Sequence, residues 1–121
     1  MVLVVKKPSL IKAAGNKPKE IREYFGRVNT RSGELSLAKM NSPAGWEEPG
    51  QCPEFDEYTV VTRGTLVVKT KDSEYQVSKG EAILVQKGEW IRYSTPYDGG
   101  AEYYAICMPA FSPETVHRDN E

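Results

Sequence analysis

The apolar residues fall into short runs in which they alternate with polar ones, and each run ends near glycine, proline, asparagine or aspartate. The runs are IREYFGRV from Ile21, ELSLAKM from Glu34, EYTVVTRGTLVVKT from Glu57, EYQVSKGEAILVQ from Glu74, WIRYST from Trp90 and EYYAICM from Glu102. Period-two alternation rich in β-branched and aromatic residues predicts strands. Turn residues at Asn29 to Gly33, Pro43 to Gly50, Gly64, Lys71-Asp72, Gly80, Gly88 and Pro96 to Gly100 punctuate them at the spacing of a sandwich or barrel. No helix-sized crossover separates the runs, so the pairing is expected to be antiparallel. Upstream, PSLIKAAGNKPKE predicts one short N-terminal helix, capped by Ser9 and stopped by Gly15-Asn16 and Pro18. Downstream, PAFSPETVHRDNE has two prolines and no periodicity, and is expected to lie along the barrel or to fray.

A chain of 121 residues has room for one core. The expected organisation is a single domain, with an arm over 1–20, a barrel over about 21–110 and a tail over 111–121. Sixteen Lys and Arg against seventeen Asp and Glu leave a formal charge of −1, without the basic field of a nucleic-acid or membrane-surface binder. No apolar run is long enough to span a bilayer. MVLVVKKPS places its basic pair after its apolar stretch, the reverse of a secretory signal, so a cytoplasmic location is expected. In that reducing compartment Cys52 and Cys107 are expected to remain thiols. Charge is uneven: residues 1–31 carry eight Lys or Arg against Glu20 and Glu23. The simplest reading is a solvated basic arm; the other is an arm that pairs with the acidic body of a second copy.

The stretch PEFDEYTVVTRGTLVV followed by GEAILVQKGEWIRYS resembles the paired motifs of the cupin superfamily, over roughly residues 45–110. The resemblance implies an all-β, double-stranded β-helix (jelly-roll) barrel. The family's first motif reads G, five residues, H-x-H, three or four residues, E, six residues, G; here Glu57 and Gly64 match its end. The second reads G, five residues, P-x-G, two residues, H, three residues, N. Gly80 and Gly88 match there, while Gln86 replaces the proline and Thr95 the asparagine. Both glycines Gly64 and Gly80 are expected where one strand turns into the next. The WEEPGQCPEFDE, YSTP and PAFSPETVHRD segments are similar to those of a subgroup of small stand-alone cupins, and a looser likeness points to the cupin of ethanolamine utilisation.

Catalytic cupins commonly hold a transition metal with three histidines and the glutamate of these motifs. With three residues before Glu57, the first two histidine positions fall on Gln51 and Pro53; with four, on Gly50 and Cys52. The first alignment is preferred, because period-two alternation lets Gln51 and Glu57 face the interior together. The third histidine position is Ile91, which has no lone pair to donate. No metal ligand set is therefore expected and no cofactor assigned. A divalent metal would require an unusual site built from Glu57, Gln51, Cys52 or Glu54 and a folded-back His117, the chain's single histidine. The neighbouring acids Glu47, Glu48, Glu54 and Asp56 are expected to be solvated.

Glu57 in an apolar lumen would be a catalytic acid or base, or an anchor for a polar ligand. Twelve aromatic residues stand mostly in core roles, with Trp46, Phe55, Tyr58, Trp90, Tyr93 and Tyr104 beside the motifs. If Ile91 faces inward, so does Tyr93, and Arg92 faces out. The expected ligand-binding set is Gln51, Glu57, Phe55 and Tyr93, with Glu57 as the catalytic candidate. The leading expectation is a metal-poor barrel that binds a small polar or sugar-like molecule. The alternative is an enzyme, either a weakly metalated isomerase or dioxygenase or a metal-free acid–base catalyst using Glu57. A homodimer is also expected, with the β-prone run Met1 to Val5 adding to a partner's sheet edge.

Overall fold

The structure, a computed structural model, describes residues 1–119. Nine strands are formed among them: β1 (Ser9–Ile11), β2 (Glu20–Phe25), β3 (Ser36–Ser42), β4 (Trp46–Glu47), β5 (Asp56–Lys69), β6 (Glu74–Ser78), β7 (Ala82–Val85), β8 (Arg92–Thr95) and β9 (Ala101–Met108). Every pairing is antiparallel. The strand path runs β1-β2-β3-β9-β5-β8-β4, with β6 and β7 as further neighbours of β5.

β5 carries the architecture, because its two halves belong to two sheets. Asp56 to Val61 lie between β7 and β9, whereas Thr65 to Lys69 lie between β6 and β8. The register shifts between Val61 and Arg63, and the strand bends there from one sheet into the other. Gly64 sits at this corner with φ +75°, where an added Cβ would collide with the carbonyl oxygen of Gly100. Gly64 therefore does not separate two strands, as the sequence reading had it; it lets one strand change sheets. Gly80, at φ +85°, does turn between β6 and β7.

The predicted N-terminal helix is absent, and Ser9–Ile11 forms edge strand β1 against β2. Two turns of isolated helix fall well short of the roughly 12–15 residues that hold together in water. The open edge of β2 offers backbone partners instead, and the Ser9 hydroxyl donates to Asn29 Oδ1 at 2.6 Å rather than capping a helix. The tail lies along the barrel: the backbone N–H groups of Cys52, Glu54 and Asp119 donate to the carbonyls of His117, Thr115 and Gly50. Glu121 and Asn120, the end of that predicted tail, lie outside the described residues.

Two apolar clusters fill the interior. The larger joins Trp46, Val61, Leu66, Val68, Ile91, Tyr93 and Tyr103 with neighbours from both sheets. The smaller joins Phe55, Cys107 and Val116 under the tail. Gly64→Ala is expected to cost about 2 kcal/mol or more, since strained positive φ and backbone collision act together. Urea unfolding checks this, and a loss under about 0.5 kcal/mol, the range of neutral surface changes, contradicts the corner assignment.

Candidate functional site

A cavity opens inside the barrel because the inward positions facing each other on β3 and β9 are small. Ser36 pairs with Cys107, and Ala38 with Ala105; all four are buried and line the space. Its volume is about 70 Å³. Drug-sized ligands need roughly 300–1,000 Å³, so this space suits a compound of only a few carbon atoms.

All four predicted ligand-binding residues reach this cavity. Gln51 and Phe55 are 4% and 2% exposed, and alternate with outward Cys52 and Glu54. Glu57, at the start of β5, is half-buried and lines the cavity. Tyr93 on β8 is buried, and its hydroxyl donates to Glu57 Oε1 at 3.2 Å. Arg92 points the other way, toward Glu47 at 3.8 Å and over the Trp90 ring. Of the other aromatics beside the motifs, Trp46 is core, while Tyr58 and Tyr104 lie on the outer face of β5 and β9.

The sequence reading missed the residues that set the cavity's charge. Lys19, placed in a solvated arm, sends its ammonium group inside, 4.1 Å from the centre of the Trp46 ring and 5.3 Å from that of Tyr103. Cation–π attraction of this kind is worth roughly 0.5–2 kcal/mol and favours the desolvated charge. Glu48, expected in solvent with its acidic neighbours, is only 9% exposed and faces the same space. Of those neighbours Glu47 and Glu54 are exposed and Asp56 is half-buried. The Tyr103 hydroxyl meets Ser42 Oγ at 2.9 Å. One signal was available for Tyr103, since period two along EYYAICM puts 103, 105 and 107 on one face. Nothing in the sequence marks Lys19 or Glu48.

These groups titrate together. Burial pulls Lys19 down, but the acidic groups facing it, Tyr103 and Glu48 before Glu57, outweigh that and hold it above its ordinary value as an ammonium. Burial pushes Glu48 up to about 7, helped by Glu57 and opposed by Lys19 and Arg118. Burial also raises Glu57, with Lys19 and the Tyr93 hydroxyl pulling it back toward the ionised form. The Cys107 thiol is raised well above its usual value by burial and by Glu57, and stays protonated.

The positions that carry histidine in metal-binding cupins hold other chemistry. Gln51 offers a weakly coordinating amide, Pro53 nothing, and Ile91 is fully buried in the apolar core. His117 does not fold into the barrel: it is exposed and pairs outside with Glu54. Among the described residues no three His, Cys, Asp or Glu side chains are grouped to hold a metal.

The family profile of the AraC-like ligand-binding domain matches residues 56–121. The chain belongs to that family. Its cupin architecture is shared with a predicted oxalate decarboxylase of Thermotoga maritima, TM-score 0.72 at 16% identity over 90% of this chain and 99% of that one. The EutQ protein of Clostridium difficile superposes with TM-score 0.64 at 23% identity, covering 76% of this chain and 63% of that one. A Myxococcus xanthus protein named endoribonuclease YbeY is 38% identical over 101 residues, 84% of this chain. This AraC-like domain spans 34% of the length of that relative. No helix among the described residues is long and apolar enough to cross a membrane.

Because Glu48 holds its proton more tightly folded than unfolded, the stability it contributes is complete below about pH 4.5 and is lost as the pH rises to about 7. Between about pH 5 and about pH 7.5 the wild type is expected to lose about 2 kcal/mol more unfolding free energy than Glu48→Gln. Urea titrations at both pH values measure this. Parallel curves for the two proteins contradict the buried placement of Glu48.

Proposed function

We propose that this domain binds a small polar organic molecule inside the barrel, held by Gln51, Glu57, Tyr93, Lys19 and Glu48 against the ring of Phe55. The observation that carries this is the convergence of charged and hydroxyl-bearing side chains on one small, largely apolar cavity. A handful of placed polar groups on apolar walls is the composition of a ligand site. Structural ion pairs alone do not require the empty space that Ala38 and Ala105 maintain. The family match supports a ligand-binding role, and the size of the cavity sets the scale of the ligand.

We propose that binding needs no metal. Where metal-binding relatives of this fold place histidines, this chain has Gln51, Pro53 and Ile91, and a buried Lys19 ammonium brings positive charge to the cavity, whose lining also includes Arg118. A nucleic-acid ligand is disfavoured by the chain's charge of −1 and by the enclosed site. A cytoplasmic setting agrees with the free thiols Cys52 and Cys107.

The test is a panel of three- to five-carbon polyols, hydroxy acids and hydroxyaldehydes screened by ligand-observed NMR and thermal shift. Binding by at least one compound is expected, abolished in Ala105→Leu, which fills the cavity, and weakened about tenfold or more in Tyr93→Phe, which removes a charge-assisted hydrogen bond. Undiminished binding in Ala105→Leu overturns the cavity as the site.

We also propose that two copies associate. Met1, Val2, Leu3 and Val4 are exposed apolar residues beside edge strand β1, and such an edge is a template for a further strand. Light scattering at micromolar concentration is expected to give a dimer, and removal of residues 1–5 a monomer. A monomeric full chain refutes it.

A further inference from the structure

The cavity holds two carboxyl groups whose surroundings differ in kind. Glu57 is half-buried, touched by the Tyr93 hydroxyl and faced by Lys19, both of which favour its ionised form. Glu48 stands in the wall between the cavity and an outer cleft formed by Gly15, Asn16, Glu47, Arg92 and Asp119. It lines both spaces but is only 9% exposed, and burial there favours its protonated form. An acid and a base held apart in this way divide the two halves of a proton transfer between them.

Other chemistries are closed off by the same surroundings. Cys107 keeps its proton and so is not a thiolate nucleophile. Lys19 keeps its charge and so has no free amine to form an imine with a carbonyl. The Lys19 ammonium can still stabilise negative charge on a ligand oxygen, most strongly in a space closed to bulk water.

We propose that Glu57 and Glu48 are the base and acid of an enolising enzyme acting on a small hydroxycarbonyl compound, with Lys19 facing the carbonyl oxygen. The inference rests on the reading of the cavity as a ligand site. Glu57 takes the proton from the carbon beside the carbonyl, and that C–H electron pair becomes the C=C bond. The carbonyl π pair moves to oxygen, which takes the proton of Glu48. The product is the enediol, with Glu57 protonated and Glu48 ionised. Return of a proton to either carbon regenerates the starting compound or its positional isomer. No electrons leave the substrate and no co-reactant is needed.

The experiment incubates the protein in D2O with dihydroxyacetone, glyceraldehyde and erythrulose and follows the carbon-bound protons by NMR. Exchange or isomerisation above the buffer rate is expected for at least one compound. Glu57→Gln and Glu48→Gln, both close in shape to the wild type, are expected to lower that rate about 10²-fold or more. Circular dichroism verifies that each variant is folded. His117→Asn, on the outside, is expected to leave the rate unchanged. If either glutamine variant fails to fold, Tyr93→Phe serves in its place, with a smaller expected loss of about tenfold from the missing hydrogen bond to Glu57. A compound that binds, and is released by Ala105→Leu, yet exchanges no faster than in buffer overturns the catalytic inference and leaves the binding reading standing. Exchange equal in wild type and both glutamine variants overturns the assignment of the two carboxyls. Neither binding nor exchange by any of the three overturns both.

Discussion

The site depends on one enclosed positive charge. An ammonium group taken out of water is costly unless it is paired and polarised by its surroundings. Lys19 meets both conditions: two aromatic faces lie beside it and two carboxyl groups oppose it. The dependence runs the other way as well. Without Lys19, Glu48 and Glu57 would share a small space as like charges, and both would be driven further toward the neutral acid. Replacing this lysine therefore changes the protonation of the whole cavity, and not one contact.

Holding Lys19 there explains features of the chain that look unrelated. Pairing of β1 with β2 ties down the arm on both sides of the lysine. The Trp46 indole N–H donates to the carbonyl of Ala14 at 3.1 Å, which fixes both the ring under Lys19 and the segment leading to it. The Asn16 side chain accepts from the backbone N–H of Glu47 at 2.8 Å, next to Glu48. What reads as a polar, proline-containing linker is the strap that carries the cation into the barrel. The polar tail acts similarly on the other side, bringing Arg118 and Phe111 to the cavity wall.

The barrel was legible in the sequence because its determinants are local and periodic. Alternation located β2, β3, β5, β8 and β9 within a few residues, and it put Tyr93 and Ile91 inward with Arg92 outward. It also placed Gln51, Phe55 and Glu57 on one face. The failures share a cause. Ser9 to Ile11 pairs with a strand across a loop, so a local capping signal pointed to a helix that tertiary pairing displaced. Gly64 reads as a turn residue, and only the two-sheet path of β5 shows why it stands inside a strand. Lys19 and Glu48 lie in aperiodic segments, where the direction of a side chain is set by contacts far along the chain. Trp46 and Tyr103, the partners of Lys19, are far from it in sequence, and no spacing rule links them.

The substitution of the family's histidines and the presence of Lys19 belong to one electrostatic argument. A glutamate in a largely apolar barrel needs a positive charge nearby to stay ionised. In metal-binding relatives of this fold the cation can be the metal, held by neutral imidazoles. Here Ile91 fills one of those positions with apolar packing, and the N-terminal strap brings the Lys19 ammonium into the cavity. An ammonium differs from a metal ion in having no vacant coordination position for a substrate oxygen, so it acts by charge and hydrogen bonding alone. On the proposed reading, proton transfer in this barrel falls to the two carboxyl groups, a half-buried Glu57 under the Tyr93 hydroxyl and a more deeply buried Glu48.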